Sequence, residues 1–273
     1  MGDEFWLITQ DDHARLSGRL AECVGNGLFS PPAPYQEMVD GIAMHDAGWP
    51  LHDEHPTLNP QGQPLHVLES PMSVAVRVWS ESVRRAADKH PYGGLLVSLH
   101  VLALSTLAMK RDQSPHERMK DGRDLFDLNK FQHKQVEIQQ DLRRRLEFPT
   151  DTPLKLGLAP TGTSAREDLL LFGYHLLKAM DAISLDVCSG GDLFRTIEEG
   201  YPRPGEEPVT LRFGHPGHFE LTVDPWPFDT PRLTFEVPAR RVPAQRYAGD
   251  EEFHRYYHAA PVEPVTITVR SVA

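Results

Sequence analysis

The side chains best suited to chemistry form an ordered series of histidines and acids in helical segments: His13, the adjacent pair His45 and Asp46, His100, and Asp181. Asp181 lies in the apolar run 176–185, where an ionised carboxylate is costly unless a cation neutralises it. A metal ion would do so. His100 interrupts the apolar run 95–102, and a buried imidazole needs a hydrogen-bond partner or a metal at each ring nitrogen. With 14 histidines in the chain, the composition directs attention to metal-ion or acid–base chemistry.

Because His45 and Asp46 are consecutive, they can converge on one ion only where a helix ends and its side chains splay apart. Gly48 follows two residues later, and glycine permits the left-handed backbone that commonly ends a helix. The spacing therefore predicts a helix end at this pair.

Several well-known signatures are absent from the sequence, and each absence removes a class of enzyme. The chain has no Gly-x-x-x-x-Gly-Lys, no Gly-x-Gly-x-x-Gly, no Gly-x-Ser-x-Gly, no His-Glu-x-x-His and no Cys-x-x-Cys. Walker NTPases, Rossmann dehydrogenases, α/β-hydrolases and zincins are therefore not expected. A di-iron helical bundle needs two Glu-x-x-His pairs, and only Glu251 with His254 matches.

The order of a histidine, then a His-Asp pair, then a late aspartate on an apolar helix resembles the HD superfamily of metal-dependent phosphohydrolases. The string His45-Asp46-Ala47-Gly48 is similar to the core motif of that superfamily, and residues 178–184 are similar to the helix that bears its last aspartate. This resemblance covers roughly residues 5–190. The whole layout, including residues 7–13, 45–49 and 225–228, also resembles an uncharacterised bacterial family of unknown function.

The HD resemblance implies that His13, His45, Asp46 and Asp181 ligate a divalent metal ion. Nitrogen with carboxylate oxygen suits Mn, Fe, Co, Ni or Zn, and also Mg where water ligands complete the site. Such an ion would acidify a bound water and stabilise charge on a phosphoryl oxygen. The implied activity is hydrolysis of a nucleotide or another small phosphoester.

Two further residues have implied roles at this site. His100 would extend it to a second metal or act as a general acid, and Lys178 would hold a substrate phosphate or neutralise Asp181. The alternative is a catalytically inactive HD-like module that binds a nucleotide or a protein. In that case the same residues would be ordinary hydrogen-bonded polar groups at helix ends.

A second histidine-rich stretch, His52-Asp53-Glu54-His55, lies in the proline-rich segment 49–71. It could lend a ligand or cover the pocket, but ordinary exposed polar residues are the favoured interpretation for such a loop.

The patterns predict a mainly helical HD-like bundle with a C-terminal antiparallel β-sheet, an α+β fold divided at the Pro/Gly cluster 200–205. Residues 1–200 would form the helical domain and 201–273 a β-rich extension packed on it, with residues 5–8 a candidate extra strand. Apolar alternation predicts strands at 209–213, 219–223, 233–237 and 265–269, with a turn at 214–218. Helices are predicted at about 10–24, 34–45, 73–89, 93–110, 124–146, 165–189 and 250–258, and irregular loops at 49–71 and 149–160.

Charge and composition restrict the partners. The chain of 273 residues has 28 Lys and Arg against 39 Asp and Glu, a formal net charge of −11 that argues against affinity for nucleic acid or anionic membranes. A small-molecule partner fits better. The apolar runs 95–109 and 169–187 are interrupted by polar residues, and two cysteines form no disulfide framework. With an acidic N-terminus unlike a secretory signal, the expected location is the cytoplasm.

Overall fold

The computed structural model describes residues 3–112, 122–148, 164–191 and 193–272. The helices, in chain order, are α1 (Gln10–Glu22), α2 (Tyr35–Ala43), α3 (Pro50–Asp53), α4 (Met72–Lys89), α5 (Pro91–Asp112), α6 (Gly122–Arg145), α7 (Ala165–Cys188) and α8 (Asp250–Ala259), with a 3-10 turn at Val67–Glu69. The strands are β1 (Glu4–Leu7), β2 (Thr196–Gly200), β3 (Val209–Gly217), β4 (Glu220–Asp224), β5 (Arg232–Pro243) and β6 (Val262–Ser271). The α+β class is confirmed.

Helix α7 is the central helix of the body. It contacts α1, α2 and α5 on the helical side and β2 and β4 on the sheet side. Its sequence is apolar on nearly all faces, which is typical of a helix that is buried on all sides. The predicted helices are confirmed, with boundaries that differ by at most two residues.

Among the described residues, one helical stretch, Pro91–Met109 in α5, is long and apolar enough to cross a membrane by length and composition. In the fold, 61% of this stretch is buried against the other elements. A core helix passes the same test, so the stretch is accounted for by its packing.

The six strands form one sheet in the order β1-β5-β6-β4-β3-β2. The prediction of a purely antiparallel sheet is wrong, because β4 pairs in parallel with β6. The physical reason lies in the segment 225–231, which is held against the end of α1. The Gly25 amide donates to the Pro227 carbonyl (3.1 Å), so the chain leaves β4 without a tight hairpin. Strand β6 then fills the space between β4 and β5.

Other local expectations also change. The sequence does not predict strand β2, since Thr196–Gly200 has two adjacent glutamates and Ile197 as its one large apolar residue, and so lacks apolar alternation. The predicted turn at 214–218 mostly belongs to β3, which continues to Gly217 with an irregular register. The predicted loop 49–71 contains α3 and the 3-10 turn. The predicted loop 149–160 lies outside the described residues.

The sheet packs directly on the helical body. Strand β1, expected as an extra strand, pairs with β5 along its whole length. The Arg19 guanidinium of α1 donates to the Glu236 carbonyl (3.0 Å) and lies over the Phe235 ring. One apolar cluster runs continuously from α1, α2, α4, α5 and α7 into β3–β6. The sheet is therefore part of the same core as the helices.

This packing predicts that a chain truncated after Gly200 will aggregate or unfold. Truncation removes the strand that pairs with β1 and exposes the apolar faces of α1 and α7 to water. Circular dichroism and size-exclusion chromatography of the fragment beside the full chain provide the measurement. A monodisperse fragment with the melting temperature of the full chain would contradict the shared core.

Candidate metal centre

Four polar side chains converge at the centre of the helical body. His13 Nε2 lies 3.2 Å from Asp46 Oδ2 and 3.9 Å from Asp181 Oδ1. His45 Nε2 lies 3.7 Å from Asp46 Oδ2 and 3.3 Å from Asp181 Oδ1. The ligand atoms of His13, His45 and Asp181 all lie within 4.8 Å of one another, a group that could hold a metal ion. The structure thus brings together the four residues singled out as ligands by the sequence.

Different elements supply these side chains. Thr9 caps α1 by accepting a hydrogen bond from the Asp12 amide (3.1 Å), which places His13 in the first helical turn. His45 and Asp46 lie in the turn between α2 and α3, so the predicted helix end is confirmed. Asp181 comes from the middle of α7.

The reason for glycine at position 48 differs from the expectation. Gly48 does not have the left-handed backbone expected at a helix end, since it is absent from the described residues with positive φ. Instead it touches α4: a Cβ at this position would lie 2.0 Å from the Val78 carbonyl oxygen, and its amide donates to Ser82 Oγ (2.8 Å). Close backbone approach therefore holds the His45–Asp46 turn against α4.

In both His13 and His45, the ring nitrogen that points away from the centre, Nδ1, already has a hydrogen-bond partner. His45 Nδ1 lies 2.8 Å from the Ile42 carbonyl, which can only accept, so this nitrogen carries the proton. His13 Nδ1 lies 2.9 Å from Ser184 Oγ, and that hydroxyl donates to the Asp181 carbonyl (3.0 Å). His13 Nδ1 can therefore donate to the Ser184 hydroxyl. With Nδ1 held in this way, both rings direct Nε2 toward the centre, the arrangement in which metal-bound histidines are usually held.

The centre contains an unsatisfied polar atom that a cation would satisfy. His45 Nε2 is buried and has no hydrogen-bond partner, although two carboxylate oxygens lie within 3.7 Å. His13 and His45 are each 1% exposed and Asp46 is 7% exposed, so water does not compensate these groups. Buried nitrogen and carboxylate donors aimed at one point are the donor set of a divalent transition-metal ion. The residues present therefore fit such an ion.

The histidines and carboxylates of the centre shift the pKa values of one another. Burial lowers the pKa of His45, but the carboxylates of Asp46 and Asp181 outweigh it and raise this pKa to about 9. Burial raises the pKa of Asp181, but His45, His100 and His13 together hold it well below its usual value. Asp181 therefore stays ionised, as a metal-ligating carboxylate must be.

His100 lies beside the second oxygen of Asp181. Its Nε2 is 3.4 Å from Asp181 Oδ2, while its Nδ1 is buried without a hydrogen-bond partner. Burial lowers the pKa of His100 to about 4, against the opposing effect of Asp181. A neutral ring is therefore expected at pH 7, and it orients the Asp181 carboxylate.

Lys178 does not contact Asp181 as the neutralising role requires. Its ammonium pairs with Glu199 on β2, which also lies 3.5 Å from His175 Nδ1. The close contacts with His175 and Lys178 lower the pKa of Glu199 to about 2. Neutralisation of Asp181 comes instead from the histidines.

A cleft of about 650 Å³ opens between the helical body and the sheet, and His13 is part of its wall. Asp53 of α3 lines the same cleft, with Oδ2 buried and without a hydrogen-bond partner. Burial raises the pKa of Asp53 to about 7, although a hydrogen bond from the Gln10 backbone opposes the shift. A carboxyl group that holds its proton near neutral pH thus lies in the cleft.

The sequence analysis assigns no role to Ser184, and it favours an ordinary exposed polar role for Asp53. A signal for Ser184 was present, because it stands three residues after Asp181 on the same helical face. For Asp53 the signal is its place in the histidine-rich stretch 52–55, for which exposed polar residues are the favoured interpretation. Its burial follows from the folding of segment 49–71 over the cleft, and periodicity does not report that.

The fold and the site define an α+β protein with a buried His/Asp group that could hold a metal ion. The family DUF3891, described as a protein of unknown function, matches residues 1–244. The chain belongs to this family. The matched span contains all the residues of the centre and ends one residue after β5. No curated protein and no solved structure matches the chain.

The close approach at Gly48 predicts that Gly48→Ala will destabilise the protein and disturb the centre. The new methyl group would meet the Val78 carbonyl and displace the His45–Asp46 turn, at a cost of about 1–3 kcal/mol or more. The measurements are urea unfolding and metal content. Gly27→Ala is the matched control, since a Cβ there meets nothing within 4 Å. Equal stability of the two variants would contradict the packing described here.

The raised pKa of Asp53 predicts a stability that depends on pH in the metal-free protein. Its folded pKa of about 7 exceeds the unfolded value of 3.8, so its contribution is fully present below about pH 4 and is lost as pH rises through 7. Asp53→Asn mimics the protonated group. Its advantage over the wild type in urea unfolding should grow from pH 5 to pH 8 by at most a few kcal/mol, at about 1.4 kcal/mol per pKa unit. Asp88→Asn, at an exposed carboxylate, is the control and should show no such growth.

Proposed function

We propose that this protein is a metal-dependent phosphohydrolase of the HD type that acts on a nucleotide or another small phosphoester. The observation that carries the proposal is the convergence of His13, His45, Asp46 and Asp181, with separations of 3.2–3.9 Å between histidine nitrogens and carboxylate oxygens. A histidine, a His-Asp pair and a late aspartate are also the ligands that the HD resemblance implies, in the same chain order.

In this proposal the four side chains hold one divalent ion. When bound, such an ion lowers the pKa of a water molecule and stabilises negative charge on a phosphoryl oxygen. Ile42 and Ser184 fix the two histidine rings with their Nε2 atoms toward the centre. His100 orients the Asp181 carboxylate. Asp53, protonated in part at neutral pH, is placed in the cleft to give a proton to the leaving group.

The cleft restricts the substrate. Among the described residues that line it, none is a lysine or arginine, whereas Glu4 and Asp53 are acidic. The metal ion would be the main positive charge available to a phosphate in this cleft. Aromatic side chains, including Trp6, Trp49 and Tyr257, offer flat apolar surface to the rest of the substrate. A monophosphate with an apolar or aromatic moiety therefore fits better than a triphosphate.

The proposal predicts that His45→Ala and Asp46→Ala will each abolish bound metal and phosphoester turnover while leaving helicity largely intact. Each change removes one ligand, and Asp181→Asn should weaken metal affinity in the same way. Elemental analysis of the purified variants and turnover of nucleotides and sugar phosphates with Mn²⁺, Mg²⁺, Co²⁺ or Ni²⁺ provide the measurements. His133→Ala changes an exposed helical histidine outside the centre and is the matched control.

The outcomes separate the alternatives. Retention of bound metal by both His45→Ala and Asp46→Ala would refute the proposed metal site. Metal bound by the wild type without turnover of any phosphoester would favour the inactive binding module. Faster turnover of triphosphates than of monophosphates would place the substrate outside the cleft beside His13.

A further inference from the structure

Three histidines outside the proposed centre form a separate cluster near the end of the chain. His254 and His258 stand four residues apart on α8, so they lie on one helical face, and their ring centroids are 5.9 Å apart. His55, from the segment after α3, faces both rings at 5.9 Å and 6.4 Å. The cluster shares no residue with the His13–His45 centre.

The two segments that carry these rings are joined by hydrogen bonds. Tyr257 Oη donates to the Asp53 carbonyl (3.1 Å), His254 Nε2 donates to the Pro56 carbonyl (2.8 Å), and the Leu58 amide donates to Asp250 Oδ1 (3.0 Å). The Phe253 and Tyr257 side chains anchor α8 in a small apolar cluster with Val242 and Tyr247. The backbone that positions the three rings is therefore held before any ligand binds, which lowers the entropy cost of binding.

The state of the His254 ring suits metal ligation. A carbonyl accepts only, so the bond to Pro56 places the proton on Nε2 and leaves the lone pair on Nδ1. A ligating histidine usually donates its other N–H in this way to a carbonyl or carboxylate. The first turn of α8 adds negative charge, from Asp250, Glu251 and Glu252, that attracts a cation.

The three rings are spaced slightly more widely than the histidine ligands of an occupied zinc site. With Zn–N bonds of about 2.0–2.1 Å, two tetrahedral histidine ligands have ring centroids roughly 5 Å apart. The observed separations are about 1 Å longer. His55 and His258 are exposed, so rotation of their side chains can close this difference without a change in the backbone.

We propose that His55, His254 and His258 form a second metal site that binds Zn²⁺ or a similar divalent transition metal. Three imidazoles favour Zn, Cu or Ni over Mg or Ca, which prefer oxygen ligands. Glu251 lies one turn before His254 on the same helix and can supply a fourth ligand. The site joins α8 to the segment 53–58, which borders the cleft, so bound metal would stabilise that wall of the cleft.

Isothermal titration of the metal-stripped full chain with Zn²⁺ tests this site. The wild type should bind two ions, and His258→Ala and His55→Ala should each leave one. Both positions are exposed, so folding is expected to survive, and thermal unfolding without metal checks it. The loss of affinity at the second site should exceed the roughly 10–100-fold that follows removal of a supporting partner. His133→Ala should retain both ions.

Combination with His45→Ala separates this proposal from the proposed function. If both sites exist, His45→Ala leaves one ion and the His45→Ala/His258→Ala double variant leaves none. Unchanged zinc binding by His258→Ala and His55→Ala would overturn the second site, whatever His45→Ala shows. Loss of an ion in those two variants, with no effect of His45→Ala, would support the second site and count against the first.

Discussion

The interaction of one partly buried carboxylate with three buried histidine rings constrains the whole helical body. Asp181 lies 3.3 Å from His45 Nε2, 3.4 Å from His100 Nε2 and 3.9 Å from His13 Nε2. Removing one partner of a buried charge leaves the other uncompensated, which commonly costs 3–5 kcal/mol. Because these residues come from α1, the turn after α2, α5 and α7, those four segments cannot shift independently. The charge cluster therefore sets how the helices meet, while the surrounding apolar residues supply most of the stability.

For side chains from these four segments to meet, the helices must approach one another closely. At the crossing of α2 and α5, a Cβ on Gly41 would lie 2.7 Å from the Cα of Gly93, so only glycine fits on both sides. Gly48 has the same function between the His45–Asp46 turn and α4. Larger residues at these places would move His45 away from His100 and Asp181. These glycines are therefore needed for the geometry of the centre, as the polar residues are.

The sequence predicted the members of the centre better than it predicted their supports. His13, His45, Asp46 and Asp181 could be named because polar residues in apolar helices have a high cost and their order resembles a known superfamily. The helices could be predicted equally well from their 3.6-residue period. The parallel pairing of β4 with β6 could not be predicted, because alternation shows that a segment is a strand but does not show which strand lies beside it. The Ile42 carbonyl that fixes His45 could not be predicted from the sequence, since every residue has a backbone carbonyl.

The sheet determines what can reach the centre. The cleft that His13 borders is also lined by β1, by Phe219 just before β4, and by Phe253 and Tyr257 on α8. Strand β1 pairs with β5, and β5 pairs with β6, so this wall is assembled from both ends of the chain. The helical body brings His13, His45, Asp46 and Asp181 together, whereas the cleft beside His13 is closed by the sheet and α8. Under the proposed function, selectivity for a particular substrate would depend on the sheet and α8, and the metal chemistry would depend on the helices.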